Sequence, residues 1–292
     1  MFTYRVRGRP LNHIRSNHIR RYDPLFLIKA RTLLSFAICL TLLVCAVTDA
    51  RTKGQKEKKV QNDQKALTAE TVAETAVYLY GGREALTNVR VNGIERANIT
   101  LPTANGDLQG QLITRFVRKD KSWLDFKRID LVLQGSDSLS IGFNGAKLWS
   151  TLNGLQIDPR PEQAKTFQAS LIHSYTSLLR YREDASKVEL KGQQAVKGLD
   201  CHVLVMTHED GSQTTFFIST KTFHVLHADY ELKLIGDTPT KFRISYYDYK
   251  PIQNTFVPMR TEVYENGRLS QRIVTTSINF NIVLEDDVFN HG

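Results

Sequence analysis

The side chains able to do chemistry in this 292-residue chain are scattered rather than clustered. The stretch "FHVLH" places His224 and His227 three apart, a spacing that would bring two ligands together on a helix. The same stretch alternates as a strand, which turns the two imidazoles to opposite faces and denies them a shared metal. His202 and His208 share a strand parity, but six residues at strand rise separate them by about 20 Å. "LEDDVF" gathers Glu285, Asp286 and Asp287 near the C-terminus, where a solvated terminal turn is a simpler reading than a cation site. "GSDS", residues 135–138, offers hydroxyls and one carboxylate without an identifiable base. The chain has no Gly-x-Ser-x-Gly elbow, Walker A loop, Gly-x-Gly-x-x-Gly loop or His-Glu-x-x-His helix. The sequence thus points to no catalytic residue, no metal and no cofactor, and to a non-enzymatic protein.

The formal charge of +9 suggests nucleic acid or an acidic membrane until its distribution is read. Residues 1–50 hold eight Lys/Arg against two Asp/Glu, and residues 51–65 hold six against two. The remaining 227 residues carry 25 basic and 26 acidic side chains, so the body of the protein is neutral. A nucleic-acid-binding domain would carry a basic stripe on its folded part, and none is present.

The organisation of the N-terminus follows from its apolarity. Residues 1–32 form a basic leader, and residues 33–50, centred on "TLLSFAICLTLLVCAVT", contain no charge before Asp49. This run suits a cleaved signal peptide, with Thr48 and Ala50 as the small residues before the cut, or a retained anchor over residues 33–48. Export is expected in either case. Cys45 follows Leu42-Leu43-Val44, a poor lipidation site because Val44 is bulky. Residues 51–65, "RTKGQKEKKVQNDQK", have a single apolar side chain and read as a flexible basic tether. Cys201 is the one cysteine outside the apolar run and cannot form an internal disulfide.

Residues 66–292 form the folded domain that must position any site. Thr68 caps a helix on which Val72, Ala76, Leu79 and Tyr80 recur at helical spacing, ended by Gly81-Gly82. A second helix follows Pro159 and Pro161, with Phe167, Leu171, Tyr175 and Leu178 on one face. Elsewhere the period is two, in stretches separated by Gly and Asn-Gly turns such as "FNGAKLW", "HEDGSQ" and "YENGR". The count comes to two helices and about ten or eleven strands, a mainly β chain with some α. Consecutive antiparallel strands in that number curl into a half or whole barrel, and the helices must cover or plug its concave side.

"YLYGGREAL", "NVRVNGI", "FNGAKLW", "VKGLDCHVLVMTHEDGSQTTFFISTKTFHVLHADY" and "YYDYKPIQNTFVPMRTEVYENGRLSQRIVTTSINFNIVLEDDVF" carry a resemblance over essentially all of 66–292. In element order and turn phrases the chain resembles the outer-membrane lipoprotein-sorting proteins of the LolA/LolB type. The resemblance implies a curved, unclosed antiparallel β half-barrel with helices covering the concave face. It also implies a periplasmic protein whose apolar cavity shelters lipid or the acyl chains of a lipoprotein, and a monomer is expected. Partners would be that cargo and the inner- or outer-membrane sorting machinery. The same fold also admits an envelope sensor or scaffold that binds an exported protein.

Strand parity then offers the residues facing such a cavity. They are Trp123, Ile129, Leu131 and Leu133 on one stretch, Leu139, Ile141 and Phe143 on the next, and Phe216 and Ile218 further on. Phe242, Ile244 and Tyr246 follow, and the second helix adds Phe167, Leu171, Tyr175 and Leu178. In "SYYDYKPIQNTFVPM" the same parity puts Tyr246 on one face and Tyr247 with Tyr249 on the other. Pro258 in this stretch marks an edge position or a bulge.

Overall fold

The computed structural model describes residues 67–134, 138–234 and 236–290. The basic leader, the apolar segment 33–50, the tether 51–65 and most of the "GSDS" motif lie outside the described residues. Among the described residues no helix is long and apolar enough to cross a membrane.

The chain first forms helices α1 (Ala69–Leu79) and α2 (Gly82–Asn88). It then runs outward through β1 (Asn92–Thr103), β2 (Gly106–Val117), β3 (Phe126–Leu133), β4 (Ser138–Phe143), β5 (Leu148–Leu152) and β6 (Leu155–Ile157). Helices α3 (Pro161–Ile172) and α4 (Tyr175–Leu179) follow. The second meander is β7 (Lys187–Val196), β8 (Leu199–Thr207), β9 (Gln213–Ser219), β10 (Val225–Leu232), β11 (Thr240–Ile252), β12 (Thr255–Glu265) and β13 (Arg268–Phe280). All thirteen strands belong to one antiparallel sheet of order β6-β5-β4-β3-β2-β1-β13-β12-β11-β10-β9-β8-β7, with β6 and β7 at unpaired edges. The expected mainly β, unclosed half-barrel is therefore present.

This topology dictates where the helices lie. The chain leaves the sheet at one edge, β6, and re-enters at the other, β7, so the segment carrying α3 and α4 must span the sheet's width. Curvature is equally forced. Strands β4 and β10 are seven places apart, about 34 Å in a flat sheet, yet side chains from both line one cavity. Bulges supply part of the bend: β13 carries extra residues opposite β12 and opposite β1, and further shifts occur between β7 and β8 and between β9 and β10.

The strand count of ten or eleven falls short by the β5–β6 hairpin, turned by Asn153 and Gly154, both at positive φ. A bulge near Gly192 bends β7, and the turn between β7 and β8 is Lys197-Gly198. Two expected helices are four segments. Gly81, at φ 116°, ends α1 and immediately opens α2; a side chain there would meet the Asn254 carbonyl at 2.7 Å. The second predicted helix breaks at His173, where ψ is 61°, and restarts at Ser174 as α4.

The two faces of the sheet differ in chemistry. Outside, Glu262 is buried between Arg260 (3.1 Å) and Arg272 (3.0 Å), and Asp130 joins Arg115, Arg128 and Ser140. The C-terminal segment forms a 3-10 turn, Asp286–Phe289, that leaves the Glu285 and Asp287 carboxylates exposed and is anchored on this outer face by its apolar end. Phe289 is buried against Phe126, its carbonyl accepts from Trp149 Nε1 at 2.8 Å, and Arg128 bonds the Val288 carbonyl. Gly142 leaves the room that the Trp149 ring needs: a Cβ would approach the ring to 2.3 Å.

Inside, α1 and α4 pack on β8–β11. Val72, Ala73, Leu178, Leu204, Met206, Phe216, Ile218 and Val225 form a cluster without accessible surface. Tyr246 and Tyr249 both join this side, contrary to simple alternation. Asp248 between them sits at φ 56°, which reverses the parity of the strand without shifting its register. Tyr249 and Tyr80 share a hydrogen bond of 2.9 Å, while Tyr247 points outward beneath Arg260. Pro258 pairs only with β11, because the β12–β13 ladder begins at Arg260.

Candidate functional site

Helix α3 stands over the centre of the concave face. Pro161 occupies its first turn, and the Gln163 side chain accepts from the Arg160 amide at 3.1 Å. Ala169 packs with Tyr230 and Phe242, and Lys165 Nζ donates to the carbonyls of Lys233 (3.0 Å) and Leu234 (3.1 Å). On the other flank Lys127 Nζ from β3 donates to Ser170 Oγ at 3.1 Å. Between these attachments Phe167 and Leu171 of α3 face a hollow above the sheet.

The space left is a cavity of about 690 Å³. Its apolar wall comes from both meanders: Ala97, Leu112, Phe116, Ile129, Leu139 and Ile141 on one side, and Tyr230, Phe242, Ile244, Tyr246, Val263, Ile273, Ile278 and Phe280 on the other. Many of these side chains are only half-buried although they face inward, since the surface they retain looks into the hollow. The volume lies within the range of small-molecule and cofactor sites, roughly 300–1,000 Å³.

Nine of the sixteen residues expected from parity line this cavity: Ile129, Leu139, Ile141, Phe167, Leu171, Tyr175, Phe242, Ile244 and Tyr246. Leu178, Phe216 and Ile218 lie instead in the packed cluster beneath α1. Leu131 and Leu133 continue the Ile129 face of β3 beyond the cavity, and Phe143 sits at the end of β4 beside the turn. Trp123 is not on a strand at all. A 3-10 turn, Ser122–Leu124, interrupts the expected run before β3 and leaves its ring under Lys121.

The sequence reading missed the contributions of β1, β2, β12 and β13. "LITRFV" shows the inward set Leu112, Thr114 and Phe116 by ordinary alternation. On β13 alternation misleads, because Ala97 pairs with Thr275 and Arg96 with Ser277. Thr276 is the extra residue, so the inward parity passes from odd at Ile273 to even at Ile278 and Phe280.

The wall is not uniformly apolar. Arg90, Arg118, Lys127, Arg180, Glu95 and Asp125 lie toward the end where β13 finishes. Arg180 bonds Asp125 at 2.6 Å, and Arg118 Nη1 donates to the Leu86 carbonyl at 2.9 Å. Burial raises the Asp125 carboxyl to about 6 despite the opposing Arg180 charge. Glu95 is also pushed up by burial, against a 2.5 Å hydrogen bond from Thr275 and the Lys127 and Arg90 charges. Burial pushes the Lys127 ammonium down, partly offset by Glu95 and Asp125.

The histidines form no metal site: among the described residues no group of three or more His, Cys, Asp or Glu is placed to hold a metal. His227 is buried on the outer face with Nδ1 2.7 Å from Ser245 Oγ, and His224 stacks on Tyr249. The pairing not visible in the sequence is His173 with His208. Each lies 2.7 Å from Thr214 Oγ1, and the His173 ring also stacks on Tyr230.

No family model and no curated protein sequence matches the chain. Solved structures do. A DUF1329 family protein from Desulfovibrio piger superposes with TM-score 0.51 at 14% identity, covering 76% of this chain and 97% of that one. A LolA superfamily protein from Nitrosomonas europaea gives 0.50 at 11% identity, covering 77% and 98%. A putative outer-membrane lipoprotein-sorting protein domain from Vibrio parahaemolyticus gives 0.49 at 12%, covering 75% and 97%. At these identities the likeness concerns fold alone, and the chain has the fold of the LolA superfamily and DUF1329 proteins.

Proposed function

We propose that the protein is a non-enzymatic carrier or receptor that shelters the acyl chain of a lipid or lipoprotein beneath α3, in the periplasm of a Gram-negative envelope. The single observation that carries this reading is the cavity of about 690 Å³ under α3, walled by apolar side chains from both meanders. An empty apolar space of that size has no stabilising role, since packed interiors leave few voids larger than water. An acyl chain placed there leaves water at about 0.8 kcal/mol per methylene, so ten methylenes amount to roughly 8 kcal/mol before the costs of association. No bond need be made or broken for such shelter.

The likeness to a LolA superfamily structure supports this reading at the level of fold. The apolar segment 33–50 supports export, either as a removed signal or as an anchor that keeps the carrier at the inner membrane. The test is native mass spectrometry of the full chain recovered from cells without harsh detergent. A substoichiometric to equimolar mass of an acylated molecule, released on denaturation, is the expected result. A chain that carries no lipid and takes up no acylated peptide would contradict it, and a stoichiometric protein partner on an empty cavity would favour a sensor or scaffold.

A further inference from the structure

The two ends of the cavity differ in charge. Along β13 the lining runs from Gln271 to Phe280, roughly 30 Å at strand rise. The Gln271 end is bordered by Glu162 and Glu265, whereas the Phe280 end holds Arg90 and Lys127 with Glu95. An amphiphile with a charged head therefore has a preferred direction of entry.

Arg90 is built into that end. It follows α2, is 8% exposed, and its guanidinium lies over the rings of Tyr175 (5.3 Å) and Phe280 (5.1 Å). Its Nη2 donates to Tyr175 Oη at 2.5 Å, which fixes the fork in its plane. The buried Nη1 has no hydrogen-bond partner. A guanidinium stays charged in a protein interior, and leaving one of its donors buried and unsatisfied is costly. Glu95 and Asp125 are the carboxylates at this end; Glu95 Oε1 is already occupied by Thr275, and Asp125 by Arg180. The other cations nearby are engaged, Arg180 by Asp125 and Arg118 by the Leu86 carbonyl.

We propose that the cavity takes an amphiphile with an anionic oxygen headgroup, a carboxylate or phosphate, drawn to the end lined by Arg90 and Lys127, with its acyl tail directed toward Ile273. This inference rests on the acyl-binding reading and adds the chemistry of the head. The depressed Lys127 and raised Glu95 ionisations agree with an end where charge lacks solvation. An arriving anion replaces that missing solvation, and a charged hydrogen bond of this kind is worth about tenfold or more in affinity.

The experiment titrates the full chain by calorimetry with four probes: oleate, oleyl alcohol, oleoyl lysophosphatidate and inorganic phosphate. Oleate is expected to bind one per chain, at least about tenfold tighter than oleyl alcohol. Arg90→Met is expected to reduce the oleate-to-alcohol affinity ratio to about twofold or less, and Arg90→Lys to recover part of that ratio. Oleoyl lysophosphatidate is expected to show the same dependence on Arg90. Equal saturable binding of oleate and oleyl alcohol to the unsubstituted chain would overturn the headgroup assignment while leaving the acyl cavity standing. Failure of all acyl probes would overturn both. Phosphate binding as tight as lysophosphatidate would reassign the site to a free anion and overturn the proposal. Should the Arg90 variants fail to fold, the comparison of oleate with oleyl alcohol on the unsubstituted chain decides alone.

Discussion

The concave face of one sheet is treated in two ways. Over β8–β11, helices α1 and α4 press side chains into contact, and Leu204, Met206, Phe216, Ile218 and Val225 have no accessible surface. Over β1–β4 and β11–β13, α3 covers a hollow, and residues of the same apolar type, such as Ile129 and Ile141, remain half-buried around it. Composition does not separate these halves; the fit of the covering helices does. The short side chains Ala69, Val72, Ala73 and Ala76 let α1 approach the sheet closely. Helix α3 instead presents Phe167 and Leu171 and is held at its flanks by Lys127 and Lys165. A filled half holds the fold, and a hollow half is available for a ligand.

The comparison breaks first through truncation. Phe216→Ala in the filled half is expected to cost about 3–5 kcal/mol in urea denaturation, as large core deletions do. Ile129→Ala in the hollow half removes atoms that already face space and is expected to cost roughly 1 kcal/mol. Equal losses at the two positions would remove the distinction between the halves.

The border between them is sensitive to pH. His173 ends α3, contacts the Tyr230 ring and shares Thr214 with His208. Burial, with help from His208, holds His173 down at about 3, and burial with the Arg243 charge holds His227 at about 4. The unfolded chain takes up these protons near the ordinary histidine value of about 6.5, and the folded chain does not. Stability from these groups is thus fully present above about 6.5 and declines as pH falls toward 4, by at most about 1.4 kcal/mol per pH unit for each. Asp125, raised to about 6, acts in the opposite sense between about 4 and 6. His173→Gln compared with the unsubstituted chain isolates the histidine, and its denaturation midpoint is expected to vary less between pH 6.5 and 4. An unchanged slope would remove His173 from the account.

On the outer face, Gly142→Ala pushes a methyl into the Trp149 ring and should loosen the Phe289 anchor at a cost of about 1–3 kcal/mol. Acyl binding is expected to survive it, because the anchor lies on the opposite side of the sheet; a coupled loss of both would show that the faces are not independent. The smallest effect is expected from Leu131→Ala. Leu131 shares the face of Ile129 but lies beyond the cavity, so acyl affinity should stay within about twofold, measured by calorimetry.

Much of this was legible in the residues. Alternation and Asn-Gly turns marked most strands, and the inward parity of β4 and β11 brought Leu139, Ile141, Phe242 and Ile244 to the cavity. The failures have physical causes. Thr276 as a bulge and Asp248 at positive φ each reverse parity within a strand that reads as regular. Phe216 and Ile218 alternate like cavity residues, and only the fit of the helices above them decides that they are packed. Arg90 and Glu95 could not be inferred because no periodicity announces a buried charge, and Arg90 is placed by the α2–β1 junction rather than by a strand.

The central claim, that the hollow half is ligand space, is tested most directly by filling it. The full chain and its Ile141→Trp and Ile273→Trp variants would be titrated with one fluorescent sixteen-carbon acyl probe. Saturable binding of one probe per unsubstituted chain, lost in the filled variants while their denaturation midpoints hold, is the expected result. Undiminished binding by the filled variants, or none by the unsubstituted chain, would contradict it.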